Sequence, residues 1–392
     1  MKNSDRMAGT EDMIEPDEGN ENVKNEIPFD PNEISVHIEN KSIWQVIDML
    51  ESDKILIPKY QRLPNLWDTK KKSRFIESLM LNLPIPLFYF DEIEIENAEK
   101  KKEKKWMVID GLQRISTLEH FVLSDSKKDT ISKNESALIL SDLEFKTEFN
   151  GKTWKELPRD IQRRIEGCQV TINLIGKGTP EEVKYNIFSR INQGGTVLKA
   201  QEIRTALFQG YRINFVEQLI SPKTPTGKSF IKATGGSVSN VRQEDLDFAT
   251  RFLSFYLLGY EEYEPDMDSF LTKGTKSIPS EIEQQEVILR NFQKAMDLSF
   301  NIFGKDAFRK TWRVKYRFIN KSLFEIISVH FAKLTQIQQD KLIQQKKNFK
   351  NEFKQLQQNN SFWDAITTST ASKDKVKKRH EIFSDLLNKY IV

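Results

Sequence analysis

The sequence predicts an α+β protein, with a mixed α/β N-terminal domain over residues 43–210 and an all-helical domain over 242–392. Three observations carry this. In the first half, short apolar or alternating runs of strand length take turns with segments of helical spacing. From about Arg242 the strand signals almost vanish, and helical segments follow near 242–258, 280–303, 321–336, 339–358 and 374–391. Between the halves, residues 211–241 read as a linker or mobile loop, because 221–240 is rich in Pro, Thr, Gly and Ser.

Taken in order, residues 1–42 form an acidic, Asn-rich leader expected to be disordered. The first 33 residues hold ten Asp/Glu and three Lys/Arg, so the overall charge of +3 conceals +10 on the remainder. A basic body favours a polyanionic partner. SIWQVIDMLES reads as a short helix and KILIPKYQR as a strand that leaves its sheet at Pro58. Asp68 is placed to cap a helix whose apolar positions are Phe75, Ile76, Leu79 and Met80, and which ends before Pro84 and Pro86. That helix opens with Lys70, Lys71, Lys72 and Arg74, cations at the positive end of a helix dipole, and these four are candidate DNA contacts.

The charged stretch 91–105 reads as a solvated hairpin leading into the strand WMVID, followed by a helix from Gly111 to about Leu123. Asn150-Gly151 signals a hairpin between FKTEF and KTW, and QVTINLI alternates as a strand. Thr179-Pro180-Glu181-Glu182 starts a helix that Gly194-Gly195 break, and a second helix ends near Gly210.

Composition excludes several chemistries. The longest apolar runs, FLSFYLL and LMLNLPIPLFYF, are too short or too proline-broken to span a bilayer, so a cytoplasmic protein without membrane contact is expected. One cysteine, Cys168, permits no internal disulfide and reads as a small buried hydrophobe. The four histidines, His37, His120, His330 and His380, are scattered singly, which argues against a zinc site or a His-Asn-His nuclease centre.

VIDGLQR, residues 108–114, is the most informative stretch. A strand ends and a helix begins within it. Asp110 and Gln113 have the spacing of a capping box, which by itself needs no function. Gly111 is unexplained by that reading, since glycine costs a helix roughly 0.5–1 kcal/mol and is suited to close approach of backbone to a ligand. Arg114 adds a guanidinium fork beside free helix-start amides, which together describe an anion site, typically for phosphate. On this reading Arg114 belongs to the ligand site rather than to the fold, and its removal should shift stability by no more than about 0.5 kcal/mol.

Four motifs then agree in order and spacing: IPKYQR with Trp67 downstream, FIESLMLNLPIP, VIDGLQR and FSRINQGGTVLKAQEI. They resemble the N-terminal domain of GmrSD-type restriction endonucleases, whose signature is DGQQR, over roughly residues 43–260. Through that family the chain resembles the ParB/sulfiredoxin superfamily, in which the strand-to-helix turn holds nucleotide phosphates. The resemblance implies catalytic roles for Asp110, Gln113 and Arg114. It implies phosphate contacts from Gln61, Arg62, Gly111, Arg114, Arg190 and Asn192, and a magnesium ion near Asp110 and Asn192. Two departures stand out. Leu112 replaces the central glutamine of the signature, and it also stands where sulfiredoxins carry their catalytic cysteine. No His-Asn-His motif accompanies the domain.

Three readings remain open at this point. One is an NTP-binding, NTP-hydrolysing component of an anti-phage restriction system, using Mg2+ and acting on foreign DNA. The second is a DNA-binding or nicking protein that applies the same turn to backbone phosphates. The third is a non-catalytic, nucleotide-sensing adaptor for a separate nuclease or defence protein. Self-association is left open in each.

Overall fold

The computed structural model describes residues 35–56, 67–96, 102–123, 137–180, 183–184, 187–188, 199–208, 210–312 and 318–392. Two compact units divide the chain, with the boundary between Leu198 and Lys199.

The first unit is built on a five-stranded mixed sheet in the order β1-β5-β3-β4-β2. Its strands are β1 (Val36–Ser42), β2 (Ile55–Leu56), β3 (Phe88–Glu96), β4 (Lys102–Asp110) and β5 (Gln169–Ile175). β1 pairs antiparallel with β5, β5 runs parallel to β3, β3 and β4 form an antiparallel hairpin, and β2 lies parallel to β4. Phe88, Phe90, Val108, Val170, Ile172 and Leu174 point to one face and are buried in a single apolar cluster. Helices α1 (Ile43–Glu51), α2 (Thr69–Met80), α3 (Leu112–Val122) and α4 (Arg159–Gly167) contribute Ile43, Val46, Ile76, Leu79, Ile115, Leu118 and Ile165 to the same cluster.

Two of these four helix starts are capped by side chains. Ser42 and Gln45 form a capping box on α1, and the Asp68 carboxylate accepts the Lys71 amide at 2.8 Å on α2. Glu77 on α2 accepts the backbone N–H groups of Glu144, Phe145 and Lys146. Burial opposes its ionisation, but these three bonds hold its carboxyl below the usual range. Cys168 is buried, its thiol pushed up by burial, as a small hydrophobe should be.

Two expectations are corrected here. The leader does not extend to residue 42, because Val36–Ser42 is an edge strand of the sheet. Edge strands are half solvated, so VHIENKS carries polar residues that do not read as a strand. Asn150-Gly151 joins two short 3-10 turns, Thr147–Phe149 and Trp154–Glu156, instead of two strands. Gly151 does adopt the left-handed backbone that a tight turn requires, at φ 81°.

The second unit, from Lys199 onward, is helical: α5 (Ala200–Leu207), α6 (Tyr211–Ile220), α7 (Pro225–Thr234), α8 (Glu244–Leu258), α9 (Met267–Lys276), α10 (Ile282–Phe303), α11 (Lys321–Ala332), α12 (Gln336–Gln344), α13 (Lys346–Leu356), α14 (Asn360–Thr367) and α15 (Lys373–Ile391). The expected linker over 211–241 is therefore mostly helix. Phe215, Val216, Leu219 and Phe230 of α6 and α7 are buried in the core. The Pro, Thr and Gly residues that suggested a loop are helix punctuation. Thr224 caps α7 by accepting the Gly227 amide, Pro225 takes the first turn, and Gly235 closes the helix at φ 66°.

A buried ionic cluster ties this unit together. The Glu325 carboxylate on α11 accepts from Arg251 on α8 at 3.1 Å, from Arg379 on α15 at 2.8 Å, and meets the His380 ring at 3.0 Å. His330 lies 3.2 Å from the other ring nitrogen of His380. Burial acts against the Glu325 charge, yet Arg379, His380 and Arg251 hold its carboxyl down to about 2. A second cluster centres on the fully buried Arg204 of α5, which donates to Asp247 at 2.9 Å and Asp268 at 3.0 Å.

Glu325→Leu removes the shared anion and strands two buried guanidinium groups, so we predict a loss of about 3–5 kcal/mol in urea unfolding. Burial lowers the pKa of His330 to about 3, helped by the neighbouring His380. The folded state thus binds fewer protons than the unfolded state between that value and the ordinary histidine pKa near 6.5. Stability should be complete above pH ~6.5 and decline as the pH falls toward 3. Thermal melts of His330→Gln across this range should show a shallower decline than wild type.

Candidate phosphate-binding turn

The join between β4 and α3 depends on one backbone conformation. Gly111 is the residue before α3 and has φ 100°, ψ 10°, a left-handed geometry open to glycine at little cost. A Cβ at this position would lie 2.5 Å from Cδ1 of Phe88, so the backbone needs glycine for space as well. The register of β3 with β4 shifts between Tyr89 and Phe90, which sets Asp110 opposite Tyr89 at the end of the hairpin.

This geometry leaves the helix start uncapped by any side chain. The first helical bond of α3 is donated by Ile115 to the Gly111 carbonyl. The amides of Leu112, Gln113 and Arg114 precede it and have no acceptor within the helix. With the dipole behind them, such amides favour an anion.

The side chains around the turn are arranged differently from the expectation. Asp110 and Gln113 do not form a capping box, because the capping position is Gly111, one residue later than the spacing assumed. The Gln113 side-chain oxygen instead accepts the Trp67 amide at 3.3 Å, fastening the approach to α2 onto α3. Asp110 turns toward Arg114, its Oδ2 accepting from Nη2 at 3.0 Å, and its side chain remains 38% exposed.

Arg114 is a fold element. Its side chain is 9% exposed, its Nη1 donates to the Pro86 carbonyl and its Nη2 to the Leu87 carbonyl at 3.1 Å. The guanidinium carbon lies 4.5 Å from the centre of the Phe88 ring. Burial lowers its pKa and the Asp110 charge acts in the opposite sense. The guanidinium that the sequence assigns to a phosphate is thus engaged with Pro86, Leu87 and Asp110. One cation neutralises Asp110 while holding the chain at Pro86–Leu87, where β3 begins.

The basic start of α2 is likewise divided. Lys70, Lys71 and Arg74 are exposed, and Arg74 pairs with Glu144 at 3.7 Å. Lys72 is buried, with Nζ 3.3 Å from Nδ1 of His120 on α3, so it serves helix packing instead of the outer surface. Gln61, Arg62, Arg190 and Asn192 lie outside the described residues. Among the described residues, no group of three His, Cys, Asp or Glu could hold a metal ion.

The sequence reading missed Lys184. Its ammonium donates to Asp91 of β3 at 2.5 Å, both side chains being nearly buried. Asp91 lies on the sheet face opposite Phe90, two residues from Tyr89, the partner of Asp110. The pair thus anchors the helical residues 183–184 on that second face, shortly before the FSRINQGG motif in the chain. A lysine between apolar neighbours gives no sign in sequence that it will be buried on an aspartate 93 residues away.

Residues 43–209 match the family described as GmrSD restriction endonuclease, N-terminal domain. No curated protein and no solved structure matches the chain. The match begins at α1 and ends after α5, so the last helix of the matched segment belongs to the helical unit.

Arg114→Ala should destabilise the protein by about 2–4 kcal/mol in chemical unfolding, because it removes a buried cation and leaves two carbonyls and a carboxylate without their donor. Arg114→Lys should recover less than half of that, since an ammonium cannot span the same acceptors as a planar fork.

Proposed function

With residues 43–209 as a GmrSD-type N-terminal domain, we propose that this protein is a nucleotide-binding component of a restriction system that acts on foreign DNA. The observation that supports the proposal is the start of α3, where Gly111 lets β4 turn into the helix and no side chain caps the amides of Leu112, Gln113 and Arg114. A triphosphate fits that site, because phosphate oxygens accept from backbone amides and are favoured by the helix dipole. Asp110, whose Oδ2 accepts from Arg114 while its side chain stays partly exposed, would be the described residue to reach a magnesium ion carried by the phosphates. The ion would supply charge neutralisation on the phosphates. Gln61, Arg62, Arg190 and Asn192 are assigned to the same ligand through the family resemblance. The protein would work in the cytoplasm, and no described helix is long and apolar enough to cross a membrane.

A second reading is supported by Leu112. Its side chain is partly buried against the apolar cluster of the first unit, so this position presents no polar group for orienting water. That favours slow turnover or none, and a nucleotide-sensing adaptor working with a separate nuclease.

Thermal-shift titration with nucleoside triphosphates and Mg2+ tests the binding claim. At least one triphosphate should raise the melting temperature in a saturable manner, by the linkage of binding to folding. Asp110→Ala should weaken this response about tenfold or more. Absence of a shift with every triphosphate would overturn the nucleotide reading. Phosphate release by wild type separates the two forms of it: turnover supports the hydrolase, and saturable binding without release supports the adaptor.

A further inference from the structure

The edge strand β1 presents groups that its own sheet does not use. Cross-strand neighbours share a face, and the register with β5 sets His37, Glu39 and Lys41 opposite Leu174, Ile172 and Val170, on the face of the apolar cluster. Val36, Ile38 and Asn40 lie on the other face, opposite Ile175, Asn173 and Thr171, where the Thr171 hydroxyl donates to the Asn40 side-chain oxygen at 3.0 Å. At residues 36–39 the strand is thus polar toward the core and apolar away from it. Ile38 is 71% exposed and Val36 40%.

The backbone is equally one-sided. The Gly176 amide donates to the Ser35 carbonyl and the Ile43 amide to the Cys168 carbonyl, each at 2.8 Å. Bonded positions alternate in an antiparallel ladder, so Ser35, His37, Glu39, Lys41 and Ile43 direct their backbone groups to β5. Val36, Ile38 and Asn40 direct theirs outward, and among the described residues no strand pairs with that side. Edge strands that remain single are commonly very short, or carry lysine, proline or a bulge. β1 runs seven residues in unbroken register, and residues 36–40 contain no lysine or proline.

We propose that β1 is an interaction surface for a second copy of this chain, the two strands pairing antiparallel about a two-fold axis at Ile38. Ladder bonds form only in registers that match outward groups with outward groups, and the side chains favour this one. It sets Ile38 beside Ile38 and Val36 beside Asn40 as bonded pairs. His37 then lies opposite Glu39 of the second copy, twice, in the non-bonded pairs where side chains approach closest. Glu39 already holds Lys41 at 2.8 Å within its own strand, so the acid would sit between two basic groups. Moving the axis to Glu39 would oppose the two glutamates, which is unfavourable. Moving it to Asn40 would set Ile38 against Ser42 and leave the isoleucines apart. β5 and β3 separate β1 from the β4–α3 turn, so the pairing and the nucleotide reading stand independently.

The test uses the full chain. Sedimentation at protein concentrations from about 1 to 100 μM should show a reversible monomer–dimer equilibrium, in the weak range of a small interface. Ile38→Lys, which sets two cations side by side at the axis, should weaken the dimer about tenfold or more. Its urea-unfolding midpoint should match wild type, because the residue is exposed. Ile38→Cys should form a disulfide between chains on mild oxidation, since opposite residues of a bonded pair lie about 5.5 Å apart at Cα. Lys41→Cys should not, because the same register separates its two copies by about 20 Å, six steps of about 3.4 Å. The native Cys168 is buried and gives a quiet background. A chain that stays monomeric throughout would overturn the pairing. So would a dimer that survives Ile38→Lys undiminished and cross-links no better through position 38 than through position 41.

Discussion

Everything around the candidate site depends on a backbone that must turn from β4 into α3 within one residue, beneath the ring of Phe88. Only glycine satisfies both conditions at position 111, the positive φ and the absence of room for a Cβ. The same turn leaves the first amides of α3 without a side-chain cap. Arg114 secures it from below, one guanidinium joining the start of β3 to the end of β4 through Pro86, Leu87 and Asp110. The cation at the positive end of the dipole, which looked in sequence like a ligand group, is stabilised by carbonyl oxygens and by the Phe88 ring. These contacts offset the roughly 0.3–1 kcal/mol of unfavourable dipole interaction.

The helical unit handles charge by a related economy. Glu325 and Arg204 are fully buried and each is shared among several partners on other helices. A buried ion with a single partner seldom recovers its desolvation cost, whereas one with several fixes the relative register of the helices that supply them. Arg204 belongs to α5, the last helix of the family-matched segment, and reaches α8 and α9. The last helix of the matched segment therefore lies inside the helical core.

Much of this was legible in the sequence, for identifiable reasons. The division into an α/β half and a helical half follows from hydrophobic period, and the strand-to-helix junction at Asp110–Leu112 was readable because VIDGLQR changes period at a glycine. Asp68 as a cap was readable because capping is local. Three features were hidden. The polar edge strand β1 lacks the alternation of a half-buried strand. The helix α7 was hidden by its own capping residues, Thr224, Pro225 and Gly235, which share their composition with loops. The roles of Arg114, Lys72 and Lys184 depend on partners distant in the chain, 28, 48 and 93 residues away, and a side chain's destination across such distances leaves no local trace.

The central claim is that the amides at the start of α3 receive the ligand's phosphate. Amide-resolved NMR of the 15N-labelled protein, titrated with a nucleoside triphosphate and Mg2+, addresses it directly. The account predicts that the Leu112 and Gln113 amides shift strongly downfield, in a single saturable transition, as they begin to donate to phosphate. Saturable binding that moves other resonances while leaving those two amides unchanged would contradict it.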